Sequence, residues 1–163
     1  PARLFCSLGD VTNLAIARGA GCLFTRVFPY GMEAIAATLG ERQGLTLEHA
    51  RMWLGHVGLE SPIDQIAGEP AIVAVAREVL LEGASKLAAE IRLSLDYYGS
   101  QGDAVAIDEI IVCGSGSAVP GLPAALQAEL GLALRPARPV ALAGFPTPDA
   151  SRLTVPYGLA LEE

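Results

Sequence analysis

The stretch IDEIIVCGSGSAVPGL, residues 107–122, decides how the chain folds. Its apolar run Ile110–Cys113 is typical of a strand that is buried on both faces. The run turns at once into the four small residues Gly114–Ser117, which let backbone amides come close to a ligand. An early proline then indicates the start of a helix. A strand, a small-residue turn and a helix favour binding of a phosphate or a nucleoside, although a tight turn that needs glycine for backbone reasons alone explains the same residues.

Composition and charge restrict the class of protein. The 163 residues are 52% hydrophobic and 18% charged, which suits one domain or one lobe of a larger protein. The net charge is −7, and no basic patch suits nucleic acid. No apolar run reaches the roughly 18–20 residues of a membrane span, and no signal peptide precedes the first strand. We therefore expect a cytoplasmic protein with no nucleic acid partner and no direct membrane insertion.

Cysteine and histidine are too few and too scattered for a disulfide framework or a metal site. The three cysteines, Cys6, Cys22 and Cys113, lie in apolar segments. An odd number of cysteines in such segments predicts buried free thiols in a reducing compartment. His49 and His56 are seven residues apart with no third ligand, so the sequence predicts no zinc site.

Hydrophobic periodicity predicts strands first and helices second. The predicted strands cover residues 3–8, 11–18, 22–28, 109–113 and 132–135. The predicted helices cover residues 32–39, 47–54, 70–98, 122–130 and 154–161. Gly40 and Gly55 are expected to end the first two, Thr46 to cap the second, and the proline-rich segment 136–148 to be irregular. The first three strands are joined by short turns and predict an antiparallel meander, and the fourth is expected to join it in parallel because helices make the connection. The helix at 70–98 is about 43 Å long at about 1.5 Å per residue, so we expect it to bridge two subdomains.

Six motifs, in this order, resemble those of the actin-like ATPase superfamily, in particular the PilM-like proteins of type IV pilus assembly and the related FtsA proteins. The matching stretches are Ser7–Asn13 (phosphate hairpin), Arg26–Gly31, Leu47–Arg51, Glu90–Tyr98, Cys113–Leu122 (adenosine motif) and Gly158–Leu161. Each motif is weak alone, but their shared order over nearly the whole chain identifies the chain as similar to this superfamily.

The resemblance implies an α/β fold with two subdomains. Residues 1–30 and 98–163 would form an RNase H-like core with a mixed sheet, as in actin-like subdomain IIA. Residues 31–97 would form a small inserted helical subdomain like IIB. Because the match covers only half of the two-lobed family fold, we expect the chain to be a C-terminal lobe.

The resemblance also assigns a nucleotide site. ATP, with magnesium, would bind between this lobe and an N-terminal lobe. The nucleotide-binding residues it assigns are Gly9, Asp10, Thr12, Asn13, Glu48, Arg51, Gly114, Ser115, Gly116 and Ser117, with no catalytic residue and no metal ligand. The turns at Gly9 and Gly114 are expected to open on the same side, with Glu48 and Arg51 on the wall of the cleft, where the resemblance implies that they contact ribose and adenine. An exposed ion pair three residues apart is the alternative explanation for Glu48 and Arg51.

Ser7 departs from the family pattern, which has an acidic residue at this position. A neutral hydroxyl cannot replace a carboxylate as a ligand for a hard cation or as a base. Asp10 is the only nearby substitute. We therefore expect at most a weak ATPase in a two-lobed protein, and neither hydrolysis nor tight ATP binding by this chain alone.

The function that the resemblance implies is a nucleotide-binding lobe of a PilM-like cytoplasmic scaffold. Its expected partners are inner-membrane pilus assembly proteins, which would hold it at the inner membrane, with pilus motor ATPases and self-association as further candidates. The alternatives are an FtsA-like cell-division scaffold, a degenerate actin-like interaction module, and a true ATPase or sugar-kinase-like phosphotransferase. A carboxylate beside the phosphate hairpin would separate the last of these from the others.

Overall fold

The computed structural model describes residues 1–161, so the last two residues of the predicted range 98–163 lie outside the described residues. The strands are β1 (Ala2–Leu8), β2 (Thr12–Arg18), β3 (Gly21–Phe28), β4 (Ile107–Cys113) and β5 (Ala133–Pro136). The α-helices are α1 (Met32–Gln43), α2 (Leu47–Val57), α3 (Pro70–Gly99), α4 (Leu122–Leu130) and α5 (Thr147–Leu159). Short 3-10 turns lie at Ile63–Gln65, Ser115–Ala118 and Val140–Leu142.

The strands form one mixed sheet in the order β3-β2-β1-β4-β5. β1, β2 and β3 pair antiparallel, whereas β4 joins β1 in parallel and β5 joins β4 in parallel. The predicted meander and the predicted parallel addition of the fourth strand are therefore confirmed, as is the α/β fold class. The pairing is parallel because α1, α2 and α3 carry the chain back to the end of the sheet at which β1 begins.

The sheet has a covered face and an open face. On the covered face, alternate residues of β1 pack under the helices, and Leu4, Cys6 and Leu8 are at most 1% exposed. On the open face, Phe5 is 43% and Val27 is 64% exposed. Buried residues of α1 to α4 and of the strands form one continuous core cluster. The division into a core of 1–30 and 98–163 and an insertion of 31–97 stays a prediction.

The longest helix, α3, connects the two ends of the helical layer. It has 30 residues, which at about 1.5 Å per residue gives about 45 Å. It packs against α1 and α2 and also against α4, which follows β4. Within residues 1–161 no helix combines the length and the apolar character that crossing a membrane requires.

Two glycines that we predicted to end helices lie inside them instead. Gly40 is within α1, and a Cβ there would lie 2.9 Å from the carbonyl oxygen of Leu45. Gly55 is within α2. The helices end at Gly44 and Gly58, where φ is 65° and 52°. The left-handed conformation that ends a helix favours glycine, but a glycine in the sequence does not by itself mark that position.

The predicted closing helix at 154–161 begins earlier than expected. α5 starts at Thr147 and contains Pro156. Pro148 lies in the first turn, where the missing N–H would have no intrahelical partner and where proline is favoured. The prediction of an irregular segment as far as Pro148 was wrong because this proline starts a helix.

The cysteines are all free thiols, as predicted, but Cys22 is exposed and not buried. It lies on β3, the edge strand of the sheet, which has one neighbouring strand only. Burial raises the pKa of the Cys6 thiol to about 12, with a smaller contribution from nearby Cys113. Burial also raises the pKa of Cys113, and a hydrogen bond with the Ser7 side chain partly offsets this effect. The two buried thiols are therefore protonated at neutral pH.

Candidate functional site

Two glycine turns meet at one end of the sheet. The first, at Gly9, joins β1 to β2, and the second, at Gly114, follows β4. Ser7 and Cys113 are register partners in the parallel pair, so both turns leave the sheet at the same end. At Gly114 φ is +84°, and an added Cβ would lie 2.7 Å from the carbonyl oxygen of Leu8. The turns are therefore in direct contact and on the same side, where the sequence placed them.

The start of α1 holds the Gly9 turn in place. The N–H of Met32 donates to the carbonyl oxygen of Gly9 at 2.8 Å. Gly31 permits this approach, because a Cβ at residue 31 would lie 2.5 Å from the carbonyl oxygen of Asp10. On the other side, a Cβ at Gly116 would lie 2.9 Å from the Met32 sulfur. The two turns and the α1 start are thus one packed unit in which larger residues do not fit.

A cleft of about 590 Å³ opens beside the two turns, within the size range of small-molecule sites. The polar side chains that line it are those of Ser7, Asp10, Arg51, Ser115 and Arg152. Both turn glycines, Gly9 and Gly114, line it as well. Its apolar lining includes Met32, Leu54 and Val119. These three side chains are at most 7% exposed, so the cleft combines close backbone approach and two positive charges with little open apolar surface.

A larger cavity of about 1010 Å³ lies on the open face of the sheet. Its apolar lining includes Phe5, Val27 and Ile111, and neither turn glycine contributes to it. Glu109 lies at its edge, where its carboxylate accepts hydrogen bonds from Arg135 and forms an ion pair with Arg3 at 2.8 Å. Arg3, Arg135 and Arg138 also line this cavity, but neither turn glycine does, so a ligand there would not meet the backbone of the two turns.

Arg51 reaches from α2 to the Gly9 turn. Its Nη2 donates to Oδ1 of Asp10 at 3.0 Å and lies 3.7 Å from a carboxylate oxygen of Glu33. Glu48 is exposed on the first turn of α2 and does not line the cleft. The alternative of a Glu48–Arg51 ion pair is therefore wrong for Arg51, whose nearest carboxylate is Asp10. The Arg51 and Asp10 side chains are 43% and 52% exposed, and such pairs contribute about 0–1 kcal/mol, so a ligand can displace either partner.

The phosphate hairpin predicted from the sequence is divided between three places. Gly9 and Asp10 line the cleft. Thr12 is fully buried, and its Oγ1 donates to the carbonyl oxygen of Tyr30 at 2.8 Å. Asn13 lies on the open face and lines the larger cavity, because successive strand residues point to opposite faces. The structure therefore does not bring the Thr12 and Asn13 side chains into the cleft.

The second turn uses much of its polar capacity internally. The Gly114 N–H donates to the carbonyl oxygen of Ser151 on α5 at 2.9 Å. The Ser117 hydroxyl and amide both donate to the Gly114 carbonyl oxygen, at 2.7 Å and 3.1 Å. Gly116 is buried, and only Gly114 and Ser115 of the four predicted residues line the cleft. Ser115 is therefore the one hydroxyl of this turn that faces the candidate ligand space.

Sequence reasoning missed Arg152. This side chain lies on α5 and lines the cleft together with Pro148. It pairs with Asp149 at 3.1 Å on its own helix and is 66% exposed. The miss followed from placing residues up to 148 in an irregular segment. Proline in the first helical turn was the available signal, since it predicts a helix that begins near Thr147.

The residues of this chain do not fit a magnesium site. Mg²⁺ prefers octahedral oxygen ligands, including one or two carboxylates. Within residues 1–161, Asp10 is the only carboxylate lining the cleft, and Arg51 already holds it. Ser7 supplies only a neutral oxygen. No group of three or more His, Cys, Asp or Glu side chains in the described chain is arranged to hold a metal ion.

By sequence, no protein-family model and no curated protein matches the chain. Solved structures of several proteins are similar in fold. A chain of the PilM–PilN type IV pilus biogenesis complex matches with a TM-score of 0.71 and 24% identity, over 98% of this chain and 45% of that chain. MreB5 of Spiroplasma citri bound to AMPPNP matches with a TM-score of 0.72 and 15% identity, over 98% and 52%. EutJ from Carboxydothermus hydrogenoformans matches with a TM-score of 0.61 and 15% identity, over 98% and 49%.

The chain spans about half the length of these solved structures while nearly all of it is matched. The mixed five-stranded sheet and its helices match these structures with TM-scores of 0.61 to 0.72. The chain therefore has the fold of the actin-like ATPases, and its fold is similar to that of PilM and MreB5.

Proposed function

We propose that this chain is the nucleotide-binding lobe of a PilM-like cytoplasmic scaffold for type IV pilus assembly. The supporting observation is that the Gly9 turn, the Gly114 turn and Arg51 line a single cleft. One similar structure, that of MreB5, contains AMPPNP, which favours ATP as the ligand class. Because the similar structures are about twice as long, ATP would bind between this lobe and a second, N-terminal lobe.

The chain's own residues would hold different parts of the nucleotide. Arg51, which the resemblance assigns to ribose and adenine, pairs with Asp10 of the Gly9 turn, so we assign it to phosphate together with Arg152. The Gly9 turn allows the phosphate to approach the backbone. Gly55 is exposed and Ala118 is half-buried, and these small residues leave room for the base. Each charge-assisted hydrogen bond contributes about 1.5–3 kcal/mol, and every 1.4 kcal/mol is about tenfold in affinity. Without donors from a second lobe, we expect a dissociation constant in the roughly millimolar range.

The proposed role is that of a scaffold whose nucleotide state sets partner docking. A ligand shifts a conformational equilibrium only by binding one state better, and a cleft between two lobes provides that difference. Asp10 is paired with Arg51 and Ser7 is neutral, so this chain offers no free base for hydrolysis. The proposed partners are inner-membrane pilus assembly proteins, since one similar structure is a PilM–PilN complex. Pilus motor ATPases and a second copy of the protein are further candidates.

A degenerate interaction module is the second candidate function. Its supporting observation is that Thr12, Gly114 and Ser117 form their hydrogen bonds with other groups of the protein. Such a module would keep the fold and the partner surface without the nucleotide. An FtsA-like cell-division scaffold would use the same cleft and differ only in its partner.

Saturation-transfer NMR with ATP separates the first two functions, because it detects millimolar binding. We expect an ATP signal with the unmodified chain and its loss in Ser115→Tyr, whose ring would occupy the cleft. Ser61→Tyr is the matched control, since Ser61 is exposed and does not line the cleft. An unchanged signal in Ser115→Tyr would place the ATP elsewhere. No signal with the unmodified chain at 10 mM ATP, roughly ten times the expected dissociation constant, would favour the interaction module.

Co-purification tests the pilus role separately. The proposal predicts that inner-membrane pilus assembly proteins are recovered with the protein, and that ATP changes the amount recovered. Recovery of division proteins alone would favour the FtsA-like role while leaving the nucleotide site intact.

A further inference from the structure

We propose that Arg51, and not a magnesium ion, balances the phosphate charge on this side of the cleft. In this account Asp10 is the counter-ion that Arg51 exchanges for phosphate. The inference rests on the proposed nucleotide function and adds the chemical form of the ligand, a metal-free nucleoside polyphosphate.

The Arg51–Asp10 pair is built for exchange. Nη2 of Arg51 donates to Asp10 at 3.0 Å, while a guanidinium carries five N–H donors in a planar fork that matches phosphate oxygens. The Arg51 side chain is 43% exposed, so its head has room to turn. The Asp10 backbone is fixed, because Gly31 packs against its carbonyl oxygen. Exchange therefore needs only the Arg51 side chain to turn from Asp10 towards the phosphate.

A second cation faces the same cleft from the other side. Arg152 lies on α5, and its pairing with Asp149 three residues earlier leaves it 66% exposed. Two arginines in one cleft of about 590 Å³ can bind neighbouring phosphates. The carboxylates that compete for these arginines are Asp10, Glu33 and Asp149.

A metal ion is disfavoured by the same contacts. The guanidinium beside Asp10 already supplies positive charge, so a divalent cation there would meet a like charge. Ser7, at the position that is acidic in the family, supplies one neutral oxygen. A cation on the other carboxylate oxygen of Asp10 would lie beside the guanidinium, which contacts Oδ1 at 3.0 Å. The two routes to charge balance therefore predict opposite effects of removing the Asp10 carboxylate.

The decisive variant is Asp10→Asn. If Arg51 binds phosphate, the loss of its competitor makes metal-free ATP bind more tightly, by about twofold to fivefold, since the competing pair is worth up to about 1 kcal/mol. If Asp10 instead holds a metal, the same change weakens ATP binding. Arg51→Gln should weaken it by about tenfold or more. Arg42→Gln removes the same charge far from the cleft, where Arg42 pairs with Glu78 and Glu82 of α3, and should change binding less than about twofold.

NMR titration of the chain with ATP, first in EDTA and then with excess MgCl₂, tests the inference. We expect binding in EDTA that magnesium leaves unchanged or weakens, because magnesium already neutralises part of the ATP charge. Tighter binding with magnesium, together with weaker binding by Asp10→Asn, would overturn the inference while the proposed nucleotide function stands. Equal binding by Arg51→Gln and the unmodified chain would also overturn it. Absence of ATP binding in both buffers would overturn the proposed function and this inference with it.

Discussion

On β2, Thr12 is completely buried under the helices, whereas its neighbour Asn13 is exposed on the open face of the sheet. The same contrast holds on β1 between Cys6, which is buried, and Phe5, which is 43% exposed. Neighbours in one motif thus have different roles because strand residues alternate between faces. A side chain on the covered face stabilises the fold, and one on the open face is free for other contacts.

The end of the sheet behaves differently from both faces. There the cleft is formed by turns whose backbones touch, at Gly9, Gly31 and Gly114. Space for a ligand depends on the absence of side chains and not on their direction. We therefore expect substitutions at the turns, on the covered face and on the open face to change the free energy of unfolding by different amounts.

The largest effect is expected from Gly114→Ala. A positive φ of 84° and a Cβ that would meet the Leu8 carbonyl both oppose any side chain, and strain and overpacking are worth about 1–3 kcal/mol each. We expect a loss of about 3 kcal/mol or more in the free energy of unfolding, measured in urea. Gly131→Ala is the matched control, because Gly131 has φ of 68° but no atom within 4 Å of the added Cβ. It should cost about 1–2 kcal/mol, the strain of the left-handed conformation alone. Equal losses would mean that contact between the turns contributes nothing.

A smaller effect is expected on the covered face, from Thr12→Val. Valine keeps the shape but leaves the Tyr30 carbonyl without its donor at 2.8 Å, which costs about 1–2 kcal/mol. Asn13→Ala on the open face should change the free energy of unfolding by less than about 0.5 kcal/mol. Urea unfolding of both variants checks the comparison. A larger loss in Asn13→Ala than in Thr12→Val would reverse the assignment of faces on β2.

The smallest effect concerns the thiols. Burial raises the pKa of Cys6 from 9.0 to about 12, so the folded state keeps the thiol protonated when the unfolded state begins to lose its proton. This stabilisation is fully present below about pH 8 and is lost as the pH rises through 9 towards 12, by about 1.4 kcal/mol between pH 8 and 10. Cys6→Ala should flatten that part of the curve of unfolding free energy against pH.

At pH 8 a thiol reagent should modify Cys22 rapidly and the two buried cysteines slowly. Rapid modification of all three would contradict the burial of Cys6 and Cys113.

Local patterns predicted the parts of the fold that local forces determine. Alternating apolar residues gave the strands to within one or two residues, and Thr46 begins α2 with its Oγ1 accepting the His49 N–H at 3.2 Å. The exposure of Cys22 was not predictable in this way, because it depends on β3 being a sheet edge. An edge is a property of strand order, which pairs residues far apart in the chain.

The candidate site was predictable only in outline. The glycine turns carry their own signal, and parallel pairing of two strands brings them together. The Arg51–Asp10 contact joins residues 41 apart, and no periodicity encodes it. Arg152 lines the cleft because it lies on α5, and Pro148 is the signal in the sequence for where α5 begins. Strand alternation buries Thr12 and places Asn13 on the open face. Hydrogen bonds within the second turn hold Ser117 away from the cleft.

The central claim is that the sheet end, and not the open face, holds the nucleotide. Amide chemical shifts of the ¹⁵N-labelled chain, titrated with ATP, test it directly. The account predicts saturable shifts at Gly9, Gly114 and Ser115 with a common, roughly millimolar dissociation constant, and unchanged positions for Phe5 and Val27. Shifts centred on Phe5 and Val27, in the larger cavity of the open face, would contradict it.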